Sequence, residues 1–183
     1  MAHDWLLDEH RSDRARDRLI AAAAVLIRRN GVDNFDINEL ARGAHCSRAT
    51  VYRHVGGKKA IIDAVLAASS IRITTTVAAR TARLQGAERS VAAITVALQE
   101  VRRDRVIQQL LASQRFFSTA PEALASPAIT EAAITLLGLA ERDIAQAQWI
   151  IRGFMALATW PMPPEQESAA VDALVGGVMR SDR

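Results

Sequence analysis

The stretch Asp36-Ile37-Asn38-Glu39-Leu40-Ala41-Arg42-Gly43-Ala44-His45-Cys46-Ser47-Arg48-Ala49-Thr50-Val51-Tyr52-Arg53-His54-Val55-Gly56-Gly57-Lys58 reads as two short helices joined by a tight connection. Asp36 is a natural N-cap, because its carboxylate accepts backbone N–H bonds, and Glu39 three places on completes a capping box. Ile37, Leu40 and Ala41 supply a buried face, and the helix stops near Gly43. Ser47 is a second N-cap, opening a helix through His54 that Gly56 and Gly57 break; a further helix begins around Lys58 and Lys59. Two capped helices about four residues apart have the spacing of a helix-turn-helix, in which the second helix enters the DNA major groove.

The composition of that second helix suits the task. Val51 and Val55 lie four apart on one face and should pack inward, which leaves Arg48, Ala49 and Arg53 to approach base edges. An arginine can bond guanine in bidentate fashion, and Ala49 can touch a thymine methyl. Thr50, Tyr52 and His54 can donate to phosphates and fix register without reading sequence, and Ser47 at the helix start is counted among the DNA-binding residues. Lys58 opens the next helix, where free N–H groups and the helix dipole already favour an anion.

Working outward, Arg14 to Asn30 carries apolar residues at helical spacing (Leu19, Ala22, Ala23, Leu26, Ile27), and Gly31 ends it as a C-cap. Residues 1–13 are expected to form a tail or a short appended helix. Charge is uneven. Residues 11–59 hold eleven Lys/Arg against five Asp/Glu, a net +6, whereas residues 1–10 carry −3 and residues 60–183 are balanced. A basic module beside a neutral body suits an anionic partner at one end, although a solvated charged face has the same signature.

Half of the 183 residues are hydrophobic, glycine and proline are few, and nothing reads as a sheet. The β-branched run Ile71–Val77 lies within Ala-rich helical sequence and is expected to be helical. Breaks at Gly86, Arg103–Asp104, Thr119–Pro121, Ser126–Pro127, Gly138 and Pro161–Pro164 divide the rest into about five segments, giving an all-α chain of about nine helices. The lone Cys46 excludes an internal disulfide and fits a reducing cytoplasm. There is no signal core and no uninterrupted apolar run of spanning length, so no membrane role is expected. Gly-x-Ser-x-Gly, P-loop and dinucleotide-binding patterns are absent, and His3, His10, His45, Cys46 and His54 are not at metal-ligand spacing, so neither an enzyme nor a cofactor or metal is expected.

The block from Thr50 to Ile61, with Arg28-Arg29-Asn30-Gly31, Phe35, Ile37 to Ala41 and Ala44 upstream, closely resembles the TetR family of transcriptional regulators. The resemblance covers roughly residues 15 to 66. It implies phosphate contacts from Thr50, Tyr52, His54 and Lys58 and base contacts around Arg48, Ala49 and Arg53. Two departures stand out. His45 occupies a turn position where the family commonly has glycine, so it should take a positive φ, and Val55 replaces the usual aromatic.

By the same resemblance, residues 14–66 form a three-helix DNA-binding domain and residues 67–183 a helical ligand-binding and dimerisation domain. The last two long helices would pair with those of a second copy through Trp149, Gly153, Phe154, Leu157, Val171, Leu174, Val175 and Val178; a monomer core is the competing reading of these stripes. A small apolar or aromatic ligand would enter a pocket around Gln114, Phe116, Phe117 and Trp149 and release the homodimer from a palindromic operator in double-stranded DNA. A ligand-independent regulator or activator, and from another class a helical-bundle binding protein, remain as alternatives.

Overall fold

A computed structural model of the chain describes residues 5–179, with side chains from 12 to 177 apart from those of Phe117 and Ala123. The side chains of Phe117 and Val178 therefore lie outside the described residues. Among these there are ten helices and no strand, so the chain is all-α.

The chain divides into two compact units. The first takes in the sequence up to Ser70 together with Arg105–Ser113. It contains α1 (Trp5–Asn30), α2 (Ile37–Gly43), α3 (Arg48–His54), the start of α4 (Lys58–Thr81) and α6 (Arg105–Leu111). Leu19, Ala23 and Ile27 of α1 recur on one face and meet Phe35, Leu40, Val51, Ile61, Ile62, Val65 and Val106 in a single core. Burying each large aliphatic or Phe side chain contributes about 1.5–3 kcal/mol. That matters most for α2 and α3, whose seven residues are too few to hold a helix in water unaided. The helix begins nine residues before Arg14, so the expected tail is in part the first turns of α1.

The second unit comprises Ile71–Asp104 and the chain from Gln114 onward. Its helices are the rest of α4, α5 (Gly86–Arg103), α7 (Gln114–Leu124), α8 (Pro127–Leu137), α9 (Ile144–Thr159) and α10 (Pro164–Met179). α5 packs against α8, α9 and α10. Ala93, Ile94, Leu98, Ile134, Ile150, Leu157, Val171 and Val175 are buried there. The run Ile71–Val77 is helical as expected, and the Thr74 and Thr76 hydroxyls donate to the carbonyls of Ile71 and Arg72 in the preceding turn. By length and composition α4 is apolar enough to cross a membrane. Ile61, Ile62, Val65 and Val77 of this helix are buried in protein core, whereas Ile71 is exposed.

Two breaks fall elsewhere than expected. α7 runs through Pro121 and ends at Leu124, so Thr119–Pro121 is not a boundary. Proline removes one bond to the preceding turn, but helix continues only one turn beyond it, and Ala125 N–H still reaches the Pro121 carbonyl at 3.2 Å. The boundary lies instead at Ala112–Ser113, without glycine or proline. Ser113 closes α6 itself: its N–H (2.9 Å) and hydroxyl (2.7 Å) both donate to the Leu110 carbonyl. This gives six helices after Gly86 in place of about five.

Candidate nucleic-acid interface

Four contacts fix α3 in place. Ser47 Oγ accepts the N–H of Thr50 at 3.0 Å and meets the Thr50 hydroxyl at 2.9 Å, satisfying the helix start. Val51 is fully buried and Val55 packs on the same core. With its rear held, α3 turns Arg48, Ala49, Tyr52 and Arg53 to solvent.

The connection from α2 is a Schellman motif. His45 N–H donates to the Arg42 carbonyl at 3.2 Å and Cys46 N–H to the Ala41 carbonyl at 3.0 Å. This places His45 at the left-handed position, where its φ is 52°, the one positive value among described non-glycine residues. Cys46 is half-buried against the core beside Ala41, which makes it a packing residue of the turn. The described residues contain no group of three His, Cys, Asp or Glu placed to hold a metal ion.

Asp36 caps α2, accepting the N–H of Asn38 at 2.8 Å. The expected reciprocal half of the capping box is not made. Glu39 instead accepts from Asn30 Nδ2 at 2.8 Å and pairs with Arg29. A charged partner on α1 outcompetes a neutral backbone N–H for the carboxylate, and the result ties α2 to the end of α1.

On the exposed face, Arg48 donates to the Tyr52 hydroxyl at 3.1 Å, with its guanidinium 5.3 Å from the ring centroid. That hydrogen bond also pushes the Arg48 guanidinium above its already high ordinary pKa. Arg53 lies 3.5 Å from His54 Nε2, and His54 Nδ1 is 3.3 Å from Ser12 Oγ of α1. With the Ser12 hydroxyl donating to Nδ1, the neutral ring carries its hydrogen on Nε2, which can then donate to an anion. Lys58 spends one of its three N–H donors on the Asp33 carbonyl, at 3.0 Å. The structure thus brings Ser47, Arg48, Ala49, Thr50, Tyr52, Arg53, His54 and Lys58 into one contiguous segment beginning at the α3 cap and ending at the start of α4.

Residues 19–65 match the family model described as bacterial regulatory proteins, tetR family. Residues 19–65 therefore carry a tetR-family DNA-binding domain. Two proteins of Mycobacterium tuberculosis strains are similar to it, each 27% identical over 176 residues that cover 93% of this chain and 87% of the relative. Both carry the description of an uncharacterized HTH-type transcriptional regulator. A chain with this domain is a helix-turn-helix, DNA-binding transcriptional regulator.

Residues expected to serve the second domain are more scattered. Gln114 and Trp149 project to solvent, Trp149 at 59% exposure, and Phe116 is half-buried. A groove of 540 Å³ in this unit shares none of them: it is lined by Arg80, Leu84, Glu88, Val91, Thr95 and Asp172, among others. Leu157, Val171 and Val175 are buried within the protomer, whereas Phe154 and Leu174 are half-buried. Gly153 admits Leu174 so closely that a Cβ there would lie 2.5 Å from its Cδ1. Ser12 was the neighbour that motif reading missed. Its one available signal was helical phase, since it lies seven residues before Leu19 on the core-facing side of α1.

Proposed function

We propose that this tetR-family regulator is a homodimeric repressor that binds a palindromic operator and is released from it by a small apolar or aromatic ligand. The exposed face of α3, held from behind by Val51 and capped by Ser47, is the observation that carries the DNA-reading part. In this reading Arg48, Ala49 and Arg53 face base edges, while Ser47, Thr50, Tyr52, His54 and Lys58 bond phosphates. One seven-residue helix reads few base pairs, so a second copy is an energetic need, and two-fold symmetry makes the operator a palindrome with half-sites about one helical turn apart.

The dimer reading draws on α9 and α10. Because Leu157, Val171 and Val175 are already covered, the surface for a second copy lies further out. Trp149 and Ala156 share an exposed face of α9, with Trp160 exposed just past its end, and Ala169, Ala173 and Gly177 share one of α10. A large exposed apolar face marks a partner site. The ligand would act through its difference in affinity between the DNA-bound and released states. The regulator is non-enzymatic and works in the cytoplasm, where the free thiol of Cys46 fits reducing conditions. Footprinting on the DNA upstream of its own gene tests the proposal. Protection of two symmetric half-sites is expected, and protection of one half-site by a monomer would overturn the dimer and palindrome together.

A further inference from the structure

The family match begins at residue 19, yet α1 begins at Trp5, so the helix runs fourteen residues ahead of the matched segment. This extension does not stand clear of the DNA-reading unit. Ser12 Oγ lies 3.3 Å from His54 Nδ1 at the C-terminal end of α3. The first half of α1 therefore passes beside the last turn of the reading helix. Along that half, Arg14, Arg16 and Arg18 are all exposed.

Helical geometry separates the three. At 100° per residue, Arg16 falls 40° from Ser12 and one turn along, on the face that meets α3, whereas Arg14 and Arg18 point to the other side of the helix. Arg16 stands one turn, about 5–6 Å, from Ser12, so a DNA strand bonded by His54 would pass within reach of its guanidinium. Arginine suits such a site, since its planar fork bonds two phosphate oxygens at once.

We infer that the α1 extension is a second backbone-binding surface for double-stranded DNA, with Arg16 bonding a phosphate flanking the segment read by α3 and Ser12 positioning His54 for its own phosphate. The inference rests on the reading of α3 as the helix in the major groove. It assigns the extension a sequence-independent role: affinity and register, with no part in base choice.

The test measures binding of the full chain, across salt concentrations, to two duplexes of equal length, one from upstream of its own gene and one of random sequence. Arg16→Ala should lose about tenfold in affinity on both, the worth of one charge-assisted hydrogen bond. It should also reduce the salt slope by about one. Arg16→Lys should retain most of the affinity, and Arg14→Ala, with the same change in charge, should keep the wild-type slope. Wild-type binding that Arg16→Ala leaves unchanged, or that Arg14→Ala weakens equally, would overturn this inference alone. A wild-type chain that binds neither duplex would overturn the DNA-reading account and this inference with it.

Discussion

Arg48 lies over the ring of Tyr52 and donates to its hydroxyl at 3.1 Å, one turn along the exposed face of α3. The hydroxyl accepts from the arginine and keeps its own hydrogen for a phosphate. In the proposed DNA complex this one side chain would hold a base-reading group while gripping the phosphate backbone. Tyr52→Phe keeps the ring and removes the hydroxyl, so binding should weaken to a similar extent on all duplexes. Tyr52→Ala also removes the stacking surface. Discrimination between the operator and its base-substituted variants should then fall, by up to ~1–3 kcal/mol, the worth of one bidentate base contact. Titrations on matched and substituted duplexes check both. Unchanged discrimination in Tyr52→Ala would mean that Arg48 does not need the ring.

His45 sits at φ 52°, in the left-handed region. A residue with a Cβ pays about 1–2 kcal/mol there, while glycine gives up about 0.4–1 kcal/mol through a freer unfolded chain. The first effect is the larger. His45→Gly should therefore stabilise the first unit by about 0.5–1 kcal/mol, seen as a higher denaturant midpoint, and His45→Val should lower it.

Gly138 presents the opposite case in the second unit. It closes α8 at φ 71°, where Arg89 bonds the carbonyls of Thr135 (2.8 Å) and Leu136 (3.2 Å). An added Cβ would lie 2.8 Å from Arg89 Cδ. Gly138→Ala should cost about 1 kcal/mol net from backbone strain, read as a lower midpoint, and leave DNA binding by the first unit intact.

Arg102 of α5 and Glu167 of α10 form a two-pronged pair, with Nη1 to Oε1 at 2.8 Å and Nη2 bonding Oε2. The hydrogen bond from Arg102 holds the Glu167 carboxyl below its ordinary range and pushes the Arg102 guanidinium up. A carboxyl lowered on folding contributes stability above its unfolded value of about 4.3, and that stability is lost as pH falls through the lower folded value. Being partly exposed, the pair is worth about 0.5–1 kcal/mol. Glu167→Gln should therefore lower the midpoint at neutral pH and leave it nearly unchanged at pH ~3, as measured by denaturant titration.

The reading unit was legible because its signals are local. Caps at Asp36 and Ser47, glycines at Gly31 and Gly56, and apolar residues at helical spacing each act within one or two turns, and they place α2 and α3 without long-range information. The strained turn at His45 was legible through the family resemblance, which places it where glycine is common. What sequence could not supply was competition between elements. Glu39 had a local partner in Asp36 and a stronger one in Arg29 and Asn30, which only the fold brings near. Ser113 ends a helix through hydroxyl and N–H bonds that composition does not announce. Leu157 and Val171 carry the same apolar signal whether they fill a protomer core or face a partner, and only burial separates the two.

The central claim is sequence-specific DNA binding through α3, and an equilibrium titration tests it most directly. The full chain is titrated into a duplex from upstream of its own gene and into a shuffled duplex of the same composition, from roughly 50 to 200 mM salt. The account predicts that the upstream duplex binds at least ~10³-fold more tightly, that affinity for both falls steeply with salt, and that Arg48→Ala narrows the gap. Equal affinity for the two duplexes, or binding indifferent to salt, would contradict it.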